Sequence, residues 1–126
     1  MERSNVLILG YDGPVIGVLS SVVNRVIPEA TVHVNELKND KTPDFIIYEL
    51  MPPHSYLTGR RRDDLLEVIK MKDLKESNPD TKLIILANYP GDAVAKTVAP
   101  DCLLEKPTFT DDLASYLMKQ VREAAI

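Results

Sequence analysis

Four short, uninterrupted apolar runs constrain this chain more than anything else in it: Val6-Leu7-Ile8-Leu9, Phe45-Ile46-Ile47-Tyr48, Leu83-Ile84-Ile85-Leu86 and Cys102-Leu103-Leu104. A strand with one wet face alternates apolar and polar residues. A strand covered on both faces has no polar side to show, so such runs predict a parallel sheet layered between helices. The stretches between them have helical spacing. After Pro14, which suits a helix start, Val15, Ile16, Leu19, Val22, Val23 and Val26 recur on one face, and Pro28 stops the pattern. A second helical pattern (Leu65, Leu66, Val68, Ile69, Leu74) follows the acidic Asp63-Asp64 and ends at Asn78-Pro79. Gly91-Asp92 opens a short helix closed by Pro100. Thr108 or Thr110 caps the last one, whose inward stripe is Leu113, Leu117, Val121 and Ala124.

One further strand, Thr31 to Val34, alternates instead, with Val32 and Val34 on one face and His33 on the other, as expected near a sheet edge. Strands alternating with helices make an α/β fold whose working loops lie at the carboxyl ends of the strands. With 126 residues the chain is read as a single domain, 1–126. Fifteen Lys and Arg against 19 Asp and Glu give a net charge of −4, which disfavours nucleic acid and anionic lipid as partners. No apolar run approaches the ~20 residues of a membrane span, and the first residues lack the pattern of a signal peptide, so a cytoplasmic product is expected. The single cysteine, Cys102, has no partner at metal-ligand spacing and reads as a buried apolar residue. His33 and His54 lack a carboxylate or cysteine at ligand spacing, and surface or loop positions are expected for both.

Two motifs carry a family resemblance. Pro43-Asp44-Phe45-Ile46-Ile47-Tyr48-Glu49-Leu50-Met51-Pro52 in the middle and Leu104-Glu105-Lys106-Pro107 near the end, set on five strands of this length, resemble the receiver domain of two-component response regulators, in a degenerate, pseudo-receiver form. The resemblance covers almost the whole chain. It implies a flavodoxin-like, doubly wound five-stranded parallel sheet in the order 2-1-3-4-5. It also implies a pocket with a phosphoacceptor aspartate after strand three, two magnesium-holding acids after strand one, a Ser or Thr after strand four and a lysine after strand five.

This sequence departs from that pattern at most of the chemical positions. Glu49 stands at the acceptor position, one methylene further from the backbone, and a displacement of ~1 Å can cost a hundredfold in rate. The acid pair reads as Tyr11-Asp12 or as Gly10-Tyr11 depending on register, so at most one acid, Asp12, is left, and Ala87 replaces the hydroxyl residue. Lys106 is kept. Glu49 is either a permanent stand-in for a phosphorylated aspartate, with Lys106 as its fixed partner, or a solvated remnant. Only nine residues, 35–43, separate Val34 from Asp44, fewer than the ~10–12 of a crossover connection, so the second helix of the family is expected to be shortened or missing. The surplus length lies in 54–62, a loop expected to overhang the pocket, where Tyr56, Arg60, Arg61 and Arg62 are candidate partner contacts.

The sequence reading is therefore a stand-alone, non-enzymatic signalling module working through contact with a signalling protein or with itself, without a cofactor or resident metal. Two alternatives belong to other classes. One is a working phosphoacceptor using Asp12 and Glu49 with magnesium. The other is a small flavin or nucleotide binder, suggested by Gly10-Tyr11-Asp12-Gly13, although a tight strand-to-helix turn explains those glycines equally.

Overall fold

The computed structural model describes residues 4–37, 42–55, 60–89 and 91–124. Along the chain these form β1 (Asn5–Leu9), α1 (Gly13–Val26), β2 (Thr31–Val34), β3 (Phe45–Glu49), β4 (His54–Ser55), β5 (Arg60–Arg61), α2 (Asp64–Ser77), β6 (Lys82–Ala87), α3 (Ala93–Val98), β7 (Cys102–Glu105) and α4 (Thr110–Ala124). Five strands make one parallel sheet in the order β2-β1-β3-β6-β7, which is 2-1-3-4-5 when the sheet's strands are counted in sequence. The fold is thus the flavodoxin-like arrangement expected above.

Each apolar run divides by alternation between two cores. Val6, Ile8, Phe45, Ile47, Ile84, Leu86 and Leu104 point to the layer of α1 and α4, where they meet Leu19, Val22, Val23, Leu113 and Leu117. Leu7, Ile46, Leu83, Ile85 and Ala87 point the other way, onto Met71 of α2 and Val94 and Ala95 of α3. That is the physical meaning of an unbroken run: both sides of the pleat are lined by helices. The inward stripe of α4 holds at Leu113, Leu117 and Val121, while Ala124 is exposed.

Caps fix where the helices start. Asp12, Asp63 and Asp92 each accept a main-chain N–H, from Val15, Leu66 and Val94, at the openings of α1, α2 and α3. Gly91 (φ 82°) supplies the left-handed turn before α3 that other residues adopt at a cost.

Among the described residues no helix lies between β2 and β3. On that side of the sheet Leu9 and Tyr48 line an open groove of about 370 Å³ beside Lys70, Asp73, Leu74 and Ser77 of α2. His33 departs from the expected surface position. It points to the face opposite Val32, but it is buried, and its Nε2 lies 3.2 Å from Asn5 Oδ1, a partner that lets an imidazole sit inside. Val34, which shares a face with Val32, is exposed at the strand end. No helix of the described residues is long and apolar enough to cross a membrane.

Candidate functional site

The carboxyl ends of β1, β3, β6 and β7 bring four side chains together: Tyr11 two residues beyond β1, Glu49 as the last residue of β3, Asn88 just past β6, and Lys106 just past β7. Parallel strands in register make this convergence unavoidable, since Glu49 pairs with Leu86 and Ala87 with Glu105. The loop after β7 is anchored by the Lys106 amide, which donates to the Ala87 carbonyl at 2.9 Å.

Glu49 is the hub. Its side chain is fully buried and both oxygens are engaged. Oε1 accepts the main-chain N–H groups of Tyr11 (2.9 Å) and Asp12 (3.1 Å). Oε2 accepts from the Lys106 ammonium at 2.9 Å. The strand-one loop can come this close because residue 10 is glycine: a Cβ there would stand 2.9 Å from Oε1.

Lys106 completes the cluster. Its Nζ also donates to Tyr11 Oη and Asn88 Oδ1, each at 3.3 Å, and lies 5.2 Å from the centre of the Tyr11 ring. Asn88 in turn donates through Nδ2 to the Leu50 carbonyl at 2.5 Å, tying the β6 loop to the end of β3. Burial alone would lower the proton affinity of Lys106, but the hydrogen bond and charge of Glu49, with Tyr11, outweigh it and raise its pKa.

The sequence expectations fare differently here. Glu49 and Lys106 are directly joined, so Glu49 is not a solvated residue. Asp12 reaches the site through its backbone N–H, while its carboxylate turns to the start of α1, where Oδ1 accepts from Val15 N at 3.5 Å. Ala87 is buried in the α2/α3 core and contributes no polar atom. Tyr11 and Asn88 are participants that sequence reasoning missed as a pair. Their positions directly after strand ends were the only available signal.

The expected overhanging loop begins and ends in a small antiparallel hairpin, β4 with β5. Tyr56 lies outside the described residues, Arg60 pairs with Ser55 across the hairpin, and Arg61 is exposed. Arg62, expected as a solvent-facing contact, is turned inward with 3% of its side chain exposed. Its guanidinium grips the fully buried carboxylate of Asp92 through both terminal nitrogens (2.9 and 3.1 Å) and also donates to the Met51 carbonyl and to Asp64. The inward turn has a plain cause: Asp92 and the Met51 carbonyl are buried acceptors in need of a donor.

The pocket does not suit magnesium as it is built. That ion takes an octahedral oxygen shell, yet both Glu49 oxygens already accept N–H donors, one of them a cation, and the Asp12 carboxylate caps a helix. Among the described residues no group of three acidic, histidine or cysteine side chains converges as a metal site would require.

No protein-family model matches this sequence, and no curated protein matches it. Solved structures do match in three dimensions. The response regulator DrrB of Thermotoga maritima superposes with a TM-score of 0.70 at 13% identity, over 97% of this chain and 54% of that one. A response regulator from Colwellia psychrerythraea gives 0.68 at 17% identity, covering 97% and 99% of the two chains. A CheY-like response regulator protein from Mesorhizobium loti gives 0.65 at 15% identity, over 94% and 98%. At these identities the likeness is one of fold: this chain has the architecture of a response-regulator receiver domain over almost its whole length.

Proposed function

We propose that this receiver-fold chain is a signalling module that works by protein contact, is not an enzyme, and is not switched by phosphorylation of its acidic pocket. One observation carries the reading: both oxygens of the carboxylate at the acceptor position are engaged within a fully buried side chain, with two amides on one and an ammonium on the other. A nucleophilic carboxylate needs a free lone pair aimed at phosphorus and a group to neutralise the incoming charge. Oε2 keeps a lone pair beside its bond to Lys106, but the Glu49 side chain is fully buried, which leaves a phosphodonor no open approach to it. Among the described residues no group of three acidic, histidine or cysteine side chains gathers there to seat a cation that would neutralise the incoming charge. Instead, the Glu49–Lys106 bridge holds the loops after β1, β3, β6 and β7 in one arrangement. The surface those loops present would then be constant, as suits a module recognised by a signalling protein in the cytoplasm or by its own copies.

Incubation with acetyl phosphate and magnesium, read by intact mass, tests this. The parent chain should show no gain. Glu49→Asp should show none either, because Ala87 still lacks a hydroxyl and Asp12 still caps α1. A hydroxylamine-sensitive gain of one phosphoryl group on the parent would overturn the reading.

A further inference from the structure

Two elements near the carboxyl ends of the strands are too small to hold their shape alone. The β4–β5 hairpin has two residues in each strand, and α3 has six in all. An isolated hairpin is marginal in water, and so is a helix shorter than about 12 residues. Each is closed by a main-chain bond at its base: the Arg62 amide donates to the Pro53 carbonyl at 2.9 Å, and the Lys96 amide donates to the Asp92 carbonyl at 3.2 Å. Arg62 directly follows β5 and Asp92 directly precedes α3, thirty positions apart, yet their side chains meet through two hydrogen bonds with 3% and 0% exposed. Opening either element alone would leave a buried charge with fewer partners. Opening both together lets the two charges reach water.

We propose that the hairpin and α3 open and close as one cooperative unit, coupled by the Arg62–Asp92 pair, while the sheet stays folded. A contact made on the hairpin, where Arg61 is exposed, then shifts the equilibrium of α3, whose Ala93, Lys96 and Thr97 are exposed. A contact made on α3 shifts the hairpin by the same factor. The reading of the chain as a contact module gives this coupling its use, whereas the coupling itself rests on the buried pair.

Amide hydrogen exchange resolved by residue, under conditions where it follows the opening equilibrium, tests the proposal. In the parent, the Arg62 and Lys96 amides should share one opening free energy and one urea dependence, both smaller than those of Ile47 and Ile85 in the central strands. Asp92→Asn is the decisive variant, because asparagine still caps α3 but no longer neutralises Arg62. It should speed exchange at Lys96 and, across the clasp, at Arg62 by similar factors of about tenfold or more. Arg61→Met, on an exposed side chain, should leave both amides unchanged. Different opening free energies at the two amides in the parent would overturn the proposal. So would exchange of both only together with the central strands, which would leave no separate unit, or an Asp92→Asn variant that speeds Lys96 and not Arg62. A phosphoryl gain in the mass experiment would overturn the silent pocket and leave the shared opening standing, so the two failures are distinguishable.

Discussion

One methylene decides what residue 49 does. A glutamate at the end of β3 reaches the amides of Tyr11 and Asp12 and the Lys106 ammonium at once, and Gly10 leaves the space for it. The pair is worth less than its geometry suggests while both partners are present, because two charges have lost water to form it. Removing one partner is different. Lys106→Met leaves a buried carboxylate with only its amide donors and should cost about 3 kcal/mol, read as a shift in urea unfolding at constant slope. Glu49→Met with Lys106→Met removes both charges and should be less destabilised than Lys106→Met alone. A single variant within ~0.5 kcal/mol of the parent would mean that the bridge is absent in solution. The sequence left open whether Glu49 pairs with Lys106 or is solvated; the strand order sets both at the ends of strands flanking β6, and the bridge is what the structure adds. The parts played by Tyr11 and Asn88 were not legible, since they depend on how two loops turn after their strands end.

Among the elements, α3 is the one least able to stand alone. It spans six residues, below the length at which a helix persists by its own hydrogen bonds, and it is held at its start by Asp92. Asp92 in turn is held by Arg62, which also clasps the Met51 carbonyl after β3 and Asp64 in the first turn of α2. One guanidinium therefore links the β3 loop, α2 and α3. Burial works against its charge, but the hydrogen bonds to Asp92 and Asp64 prevail and raise its pKa further. Arg62→Met should destabilise by about 3 kcal/mol and speed amide hydrogen exchange in α3 ahead of the sheet, because it leaves Asp92 buried with only its capping bond. Arg61→Met, on an exposed side chain, should change stability by less than ~0.5 kcal/mol. Equal effects of the two substitutions would refute the clasp. Three adjacent arginines look alike in a sequence, and nothing in their order tells which one the chain turns inward. The strands were legible because an unbroken apolar run has one physical explanation here. A shortened or missing helix between β2 and β3 was expected from counting residues too few for a crossover, and the described residues there form none.

At the scale of the whole molecule, several groups hold their protons more tightly folded than unfolded, and they act in the same direction. Burial, with the charges of Asp112 and Asp101, pushes the Cys102 thiol from 9.0 up to about 11. Burial, with Asp101, Cys102 and Glu123, pushes the Tyr116 phenol from 10.0 up to about 12. Tyr48, buried and hydrogen-bonded to Glu67, is raised as well, and so is the Lys106 ammonium. For each of them the unfolded chain loses its proton first as pH rises. The stability each contributes is whole below its unfolded value and is lost as pH climbs through the folded one. The domain should therefore show a progressive alkaline decline that begins near the unfolded Cys102 value of 9.0 and continues through the range of Tyr116 at about 12. Its urea midpoint should vary little between about pH 7 and 8.5. Cys102→Val should delay the onset toward 10.0, where the unfolded Tyr116 begins to ionise, and should leave the neutral midpoint nearly unchanged. A midpoint at about pH 11 equal to that at pH 7 would mean that these side chains meet water as freely in the folded state as in the unfolded one. The second core layer and the packing of α4 on β7 would then be looser than the sheet order requires.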